Sequence, residues 1–293
     1  MEDQAAVQLF LPATIATIML ALGLSLDVAD FRAVIARPRA VVAGAVGQLL
    51  ALPVLGFAVA LGFGLSPEAS VGLILLCGCP GGAHSNLFAN LARADTALSI
   101  SLTALSSLAT LVTLPLWVLC AAAAFGGGEG VRLPVGETTA MLLGVVAAPT
   151  VFGMAVRARW AKVARVGARV LKVFAVLLLL VIVVGSVAKN GALVLTHARE
   201  VGAAVVALNL SSMAVGAALA RAAGLDLRGV LTLMLEVGVQ NSVVAVGLAM
   251  TLLSLPFAVP AIVYSLFVYV SAVLVVVVGR RVARNRDVES SPC

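Results

Sequence analysis

The sequence predicts an all-α polytopic membrane protein with nine transmembrane helices, arranged as inverted repeats with two discontinuous helices that cross. Composition, the number of apolar segments and the placement of basic residues predict it. Hydrophobic residues make up 62% of the 293 residues and charged residues only 11%, so the polar residues are too few to cover a soluble globule. The net charge of +6 does not indicate nucleic-acid binding, because basic residues in short loops between apolar segments orient a membrane protein.

Nine apolar segments are long enough to cross a lipid bilayer, which takes about 20 helical residues. These segments, spans 1 to 9, lie near 7–26, 40–63, 70–92, 97–122, 138–156, 171–188, 201–220, 230–252 and 260–279. Sorting the Lys and Arg residues by alternate loops puts sixteen on one side and three on the other, namely Arg132, Lys189 and Arg199. The positive-inside rule therefore predicts a multi-pass protein of the cell (inner) membrane, with its N-terminus outside and its C-terminus cytoplasmic.

Spans 3 and 8 each contain a stretch that disfavours a continuous helix. Span 3 carries CGCPGGAHSN at Cys77–Asn86, in which Pro80 removes a backbone donor, and span 8 carries LEVGVQNS at Leu235–Ser242. Broken backbone at membrane depth is tolerated where it lines a cavity or is buried in protein. The two spans take corresponding positions in two halves of the chain and start from opposite sides of the membrane. Paired interruptions in inverted repeats are typical of the binding site of a secondary transporter.

Glu236 is the one carboxylate that lies within an apolar segment, in the interrupted part of span 8. A charge at that depth costs from about 3 to more than 10 kcal/mol, so it indicates a functional site. The nearest cation along the chain is Arg228, two turns earlier. The alternative is a protonated Glu236 that only links helices by hydrogen bonds.

Polar oxygen ligands surround both interruptions in the sequence. Ser85 and Asn86 follow the first break, and Ser99 and Thr103 share one face of span 4 because they are four residues apart. With Glu236 they form an oxygen set that suits a hard monovalent cation such as Na⁺, although packing of small residues would also explain the Ser and Thr. A second set combines Glu236, the amides of Gln48 and Gln240, and carbonyls freed at 236–239. The helix amide ends near 83–86 and 240–242 favour an anionic substrate group.

Three stretches, CPGGAHSN, the following TALSISLTALSSL and the later LEVGVQNS, closely resemble the signature regions of the bile acid:sodium symporter family. The resemblance runs from about Ile18 to Arg280 and is to a nine-span form that lacks the leading helix. It implies a panel domain of spans 1, 5 and 6 (residues 1–38 and 126–195) and a core domain of the remaining spans (39–125 and 196–283), with a cytoplasmic tail at 284–293. It also implies two sodium sites. The first would use Ser85, Asn86, Ser99, Thr103 and Glu236, and the second Gln48, Glu236, Val237, Val239 and Gln240.

The departures from the family pattern lie where a substrate would bind. Ala83-His84 stands where a Thr-Ala pair is expected, and Val268-Tyr269 stands where some bacterial members carry His-Asn. Asn241 is retained, so the predicted substrate contacts are Asn241, His84, Ala83 and Tyr269. His84 is interpreted either as a ligand contact or as a neutral histidine hydrogen-bonded in the core.

The favoured function is sodium-coupled symport of an organic anion, either bile-acid-like or a small keto or hydroxy acid, by alternating access. The alternative is a related proton- or potential-driven efflux carrier for an anion or metalloid, in which Glu236 titrates. An enzyme is excluded because the spans offer neither a second carboxylate nor an HExxH motif. The expected partners are sodium ions, the organic anion and the lipid bilayer, and no oligomer is required.

Overall fold

The computed structural model describes residues 2–26, 37–126 and 143–289, and this part of the chain is helical apart from turns and one isolated β-bridge. Its helices, numbered in chain order, are α1 (Glu2–Ser25), α2 (Pro38–Val46), α3 (Leu52–Phe63), α4 (Pro67–Gly78), α5 (Ala83–Leu91), α6 (Thr96–Phe125), α7 (Ala148–Arg159), α8 (Ala161–Lys189), α9 (Gly191–Ala222), α10 (Leu227–Gly238), α11 (Ser242–Leu252) and α12 (Leu255–Glu289). Two π-helical segments join them: Gly47–Ala51 connects α2 to α3, and Leu143–Ala147 precedes α7. Arg32, Arg132 and the start of predicted span 5 lie outside the described residues.

The helices present an apolar surface that suits a bilayer. Among the described residues, five helical stretches are long and apolar enough to cross a membrane: Pro38–Phe63, Thr96–Phe125, Ala161–Lys189, Gly191–Ala222 and Leu255–Val282. Large apolar side chains such as Leu61, Val181 and Leu266 point outward, on a scale that water-soluble proteins rarely show. The chain is therefore an all-α, multi-pass membrane protein, while nine spans and an inverted repeat stay predictions.

Both predicted interruptions are breaks between two helices. Predicted span 3 consists of α4 and α5, and predicted span 8 consists of α10 and α11. The chain leaves helical geometry at Cys79 (φ −70°, ψ 153°) and at Val239 (φ −117°, ψ 92°). At the first break, Pro80 cannot donate the backbone bond that would continue α4. At the second, Asn241 starts a new helix, because its side-chain oxygen accepts from the backbone N–H of Val244.

The helices pack in two groups. Helix α1 lies against α7 and α8, whereas α4, α6, α9, α10 and α12 pack against one another, and α11 contacts both α1 and α12. Small residues allow the closest approaches, as is usual between membrane helices. A Cβ atom at Gly23 of α1, for example, would lie 2.1 Å from the carbonyl oxygen of Thr150 in α7. The site described next lies within the second group.

Candidate cation and substrate site

The two helix breaks meet in the interior of the second group of helices. Gly81 and Gln240 form an isolated antiparallel β-bridge, and the backbone N–H of Asn241 donates to the carbonyl of Pro80 at 3.3 Å. Each break thus satisfies part of the other's backbone, as buried polar groups require. The sequence predicted two discontinuous helices that cross, and their breaks are in direct contact.

All five residues predicted for the first cation site come together around the carboxylate of Glu236. Its Oε2 accepts from the hydroxyls of Ser85 and Ser99, both at 2.8 Å, and its Oε1 accepts from Thr103 at 2.6 Å. The side-chain oxygen of Asn86 lies 2.7 Å from Ser99 Oγ and 3.3 Å from Thr103 Oγ1. Three helices supply this cluster, namely α5, α6 and α10, so it depends on the whole core being assembled.

The cluster holds more acceptors than protons. Each of the three hydroxyls lies within hydrogen-bond distance of two acceptors, because Ser85 also approaches the carbonyl of Gly82 at 2.8 Å. A hydroxyl carries one proton. The Asn86 side chain turns its amide oxygen toward the cluster, so three hydroxyl protons are available for six contacts between a hydroxyl and an acceptor oxygen. Bringing oxygen lone pairs together in this way favours a cation among them.

Glu236 is fully buried, and within the described residues it forms no ion pair with Lys or Arg. Arg228, its nearest cation in the sequence, lies two turns away on α10, where its carbonyl accepts from Thr232. A buried carboxylate without a cation bears most of its desolvation cost. The described residues also contain no group of three or more His, Cys, Asp or Glu that could hold a metal ion. The candidate ligands here are therefore one carboxylate with hydroxyl and amide oxygens, the type that hard cations prefer.

A glycine makes room for this carboxylate. A Cβ atom at Gly81 would lie 2.6 Å from Glu236 Oε1, closer than van der Waals contact allows. The double glycine of the first break thus has a second role besides interrupting the helix: it lets the backbone approach the charged side chain.

The residues predicted for the second cation site are only partly brought together. The amides of Gln48 and Gln240 pair reciprocally at 2.8 and 3.2 Å. Their remaining N–H groups donate to the carbonyls of Cys79 and Val237, at 3.1 and 2.9 Å. Gln48 lies in the π-helical segment, a distortion frequent at functional sites. The carboxylate of Glu236 makes its hydrogen bonds in the first cluster instead, and Val239 lies at the break, where it lines a cavity.

Two adjoining cavities lie beside the breaks. The larger, of about 500 Å³, is lined mainly by apolar residues of α8, α11 and α12, and the smaller, of about 310 Å³, by residues of α1, α8 and α11. His84 lines both, Tyr269 lines the larger and Asn241 the smaller. The rings of His84 and Tyr269 meet edge to face, with centroids 5.8 Å apart. Both departures from the family pattern are therefore neighbours in one cavity wall, whereas the side chain of Ala83 lies outside the described part.

Several residues that shape the site were not predicted from the sequence. Asn209 donates to the carbonyl of Gly238 at 2.9 Å, and the hydroxyl of Tyr264 donates to the same carbonyl at 2.5 Å. These two bonds satisfy the carboxyl end of α10 next to Glu236. Asn209 is an amide inside an apolar segment, like Gln48, so the same signal could have found it. Lys172, near the start of predicted span 6, lies within α8 and lines the smaller cavity.

The known proteins with similar sequences that are described here are named as sodium-dependent transporters or cotransporters. Residues 12–197, more than half of the chain, match the Sodium Bile acid symporter family. The uncharacterized sodium-dependent transporter YocS of Bacillus subtilis is 29% identical over 250 residues, which cover 85% of this chain and 76% of that protein. The probable chloroplastic sodium/metabolite cotransporter BASS1 of Oryza sativa is 29% identical over 254 residues, covering 85% of this chain and 61% of its own length.

The human ileal sodium/bile acid cotransporter is 27% identical over 229 residues, covering 78% of this chain and 65% of its own length. The chain thus spans somewhat less than two thirds of these last two relatives. Members of the matching family are transporters and not enzymes. An apolar helical fold, two broken helices in contact and a matching family over most of the first two thirds of the chain agree: this protein is a membrane transporter that belongs to the sodium bile acid symporter family.

Proposed function

We propose that the protein is a sodium-coupled symporter that carries an organic anion by alternating access. The observation that carries this proposal is the proton-poor oxygen cluster around Glu236, in which six contacts share three protons. A sodium ion bound there neutralises the buried carboxylate and links α5, α6 and α10. Sodium binding thereby shapes the breaks at which the anion binds.

The second sodium site forms from Gln48, Gln240 and the carbonyls of the second break. In the described state each amide oxygen accepts one hydrogen bond from the other amide, which leaves one lone pair on each oxygen for an ion. With two ions per anion, the rate of transport depends steeply on the Na⁺ concentration.

The moving parts are the two groups of helices. Helices α1, α7 and α8 form the panel domain, and α2 to α6 with α9 to α12 form the core domain. The whole chain crosses the membrane nine times in inverted repeats, with its N-terminus outside and its C-terminus cytoplasmic. The cavities lie between α8 and the broken helices of the core, so displacement of the core against the panel moves ion and anion together.

The experiment is a thermal-unfolding titration of the purified protein with Na⁺ against a K⁺ or choline background at constant ionic strength. A ligand that binds only the native state at 100 times its Kd stabilises it by about 2.7 kcal/mol, so the melting temperature rises with Na⁺. Glu236→Gln keeps the shape and removes the charge, and it should abolish the rise. Equal curves for Na⁺ and choline in the wild type would refute the sodium site.

Glu200→Gln is the matched control. Glu200 is a half-buried carboxylate outside the cluster that accepts from the backbone N–H of Ser66 at 2.6 Å and lies 3.2 Å from His197. Its replacement should leave the sodium response intact. If both variants lose the response equally, the loss reflects general destabilisation rather than a missing ligand. A Glu236→Gln protein that still takes up solute in a sodium-driven manner would contradict the proposal.

A further inference from the structure

The smaller cavity has a mostly aliphatic lining that includes four polar side chains. Eight of its twelve lining residues are aliphatic, and the four others are Ser25 of α1, His84 of α5, Lys172 of α8 and Asn241 at the second break. These four belong to four different parts of the chain, and they converge on one space of about 310 Å³. Pockets for organic ligands have this composition, mostly apolar with a few polar groups that orient the ligand.

Lys172 is the one lysine or arginine among the described residues that line the two cavities, and no Asp or Glu is among them. In the described part of the chain, no carboxylate lies within ion-pair distance of its ammonium. Lys172 and His84 line the same cavity. Lys172 does not lie at the N-terminus of α8. The helix begins at Ala161, and a rise of 1.5 Å per residue places Lys172 about 16 Å along its axis.

The neighbouring helix ends add further attraction for an anion. Helices α5 and α11 begin beside the cavities, and helix amide ends carry partial positive charge. The hydroxyl of Ser242, the first residue of α11, is buried without a hydrogen-bond partner among the described residues. Ser242 lines the larger cavity next to Val243, which lines both. Lys172 in the smaller cavity and the Ser242 hydroxyl in the larger therefore line two spaces that share His84, Val176 and Val243.

We propose that Lys172 binds the anionic group of the transported solute, while the apolar part of the solute lies against α1 and α8. This inference rests on the proposed symport function and adds the charge partner of the anion to it. The competing explanation is that Lys172 is one more positive charge that orients the chain in the membrane. Under that explanation its replacement leaves ligand binding unchanged.

The test uses two probe pairs at saturating Na⁺: cholate with its neutral amide, and octanoate with octanamide. Pyruvate serves as a carboxylate without an apolar part. Affinities are measured by thermal shift and isothermal titration for the wild type, Lys172→Gln, Lys172→Arg and Arg169→Gln. Arg169 is an exposed cation on the same helix that does not line either cavity, so it controls for charge alone.

In the wild type, at least one amphipathic carboxylate should bind at least tenfold more tightly than its amide and than pyruvate. Lys172→Gln should weaken carboxylate binding by roughly tenfold or more, because it removes one partner of a charge pair, and should leave amide binding unchanged. Lys172→Arg and Arg169→Gln should stay within about threefold of the wild type. Carboxylate binding that survives in Lys172→Gln, or carboxylates that bind no better than amides, would overturn the inference.

The same samples separate this inference from the proposed function. Sodium stabilisation is measured in each variant without any probe. If Lys172→Gln keeps the sodium response, the protein is folded and the loss of carboxylate binding is specific to the ligand. If the wild type has no sodium response, the symport proposal fails. If sodium binds but carboxylate affinity is the same in Lys172→Gln as in the wild type, only the present inference fails.

Discussion

At the scale of single residues, the chemistry centres on hydroxyls that have one proton for two acceptors. Ser85, Ser99 and Thr103 each face the Glu236 carboxylate and a second oxygen. Such hydroxyls can turn their protons outward and present lone pairs to an ion, which a purely structural hydrogen bond has no need to do. A conservative change at one of them therefore tests the ion more directly than a change of the carboxylate.

Replacing Thr103 with Val should weaken sodium binding with little change of side-chain volume. The change removes one oxygen ligand and leaves Glu236 Oε1 without the donor that lies 2.6 Å away. The bound ion then lacks the Thr103 oxygen, and an unmade polar contact to a buried group costs about 1–3 kcal/mol, so sodium affinity should fall by roughly fivefold to a hundredfold. Ser101→Ala is the control, because Ser101 is a buried hydroxyl of the same helix that donates only to the carbonyl of Ala97. Equal sodium affinity in both variants would show that Thr103 is not a ligand.

His84→Ala should separate the cation from the substrate. The imidazole packs on the ring of Tyr269 and lines both cavities, and it makes no hydrogen bond to the oxygen cluster. Sodium stabilisation should therefore stay within about twofold of the wild type, while affinity for the carboxylate probes falls. A lost sodium response, measured by the same thermal titration, would favour the alternative of a histidine needed for the core.

At the scale of secondary-structure elements, the breaks position the ligands. Helices α5 and α11 begin where α4 and α10 have ended, and the β-bridge between Gly81 and Gln240 ties the two interruptions together. The Glu236 carboxylate approaches the first break so closely that only a residue without a Cβ atom fits there.

Gly81→Ala should disrupt the cation site although it adds a single methyl group. The added Cβ atom would lie 2.6 Å from Glu236 Oε1, so either the carboxylate or the break must move. We expect sodium affinity to fall at least tenfold, measured by isothermal titration. Gly62→Ala is matched to it, because a Cβ atom at Gly62 of α3 meets nothing within 4 Å and Ala favours a helix. A Gly81→Ala protein with wild-type sodium affinity would mean that the carboxylate binds the ion from another position.

At the scale of the whole molecule, the two ligand sets predict the charge that each cycle carries. Two Na⁺ with one monovalent anion move one net positive charge inward. At about 100 mV, inside negative, this charge contributes about 2.3 kcal/mol, or nearly fifty-fold in accumulation at about 1.4 kcal/mol per decade. Uptake into proteoliposomes should therefore increase when K⁺ and valinomycin set an inside-negative potential at a fixed sodium gradient.

Gln48→Ala connects this whole-molecule property to one residue. It removes half of the Gln48–Gln240 amide pair and leaves the Glu236 cluster in place, so transport should become less steep in sodium. Wild-type uptake that is independent of the membrane potential and rises hyperbolically with the Na⁺ concentration would mean that one of the two ligand sets binds no ion and has a structural role.

The predicted orientation can be tested along a single helix. Arg199 and Arg221 lie near opposite ends of α9, about 33 Å apart at 1.5 Å per residue, which matches a hydrocarbon core of about 30 Å. In a background with Cys120 and Cys293 replaced by Ser, an impermeant maleimide applied to intact cells should label Arg199→Cys and spare Arg221→Cys. The reverse pattern would invert the predicted topology.

Much of this protein could be predicted from local properties of the sequence. A carboxylate within an apolar segment is costly wherever that segment packs, so Glu236 indicated a site before any contact was known. Pro80 and the glycines beside it interrupt a helix through their own backbone chemistry. The two breaks followed from such signals, and so did the residues predicted for the cation site, whereas the family followed from the resemblance of three stretches to its signature regions. The ends of the helices could not be predicted in this way. Helix α8 begins at Ala161, ten residues before predicted span 6, because basic residues continue a helix as readily as apolar ones.

Only the tertiary structure decided which distant groups meet. Gln48 and Gln240 are 192 residues apart, and their pairing depends on how the π-helical segment packs on the second break. The approach of Glu236 to Gly81, the contact between His84 and Tyr269, and the position of Lys172 in a cavity wall have the same origin. Sequence patterns report what a residue costs in its own segment, whereas packing between segments determines which partner offsets that cost.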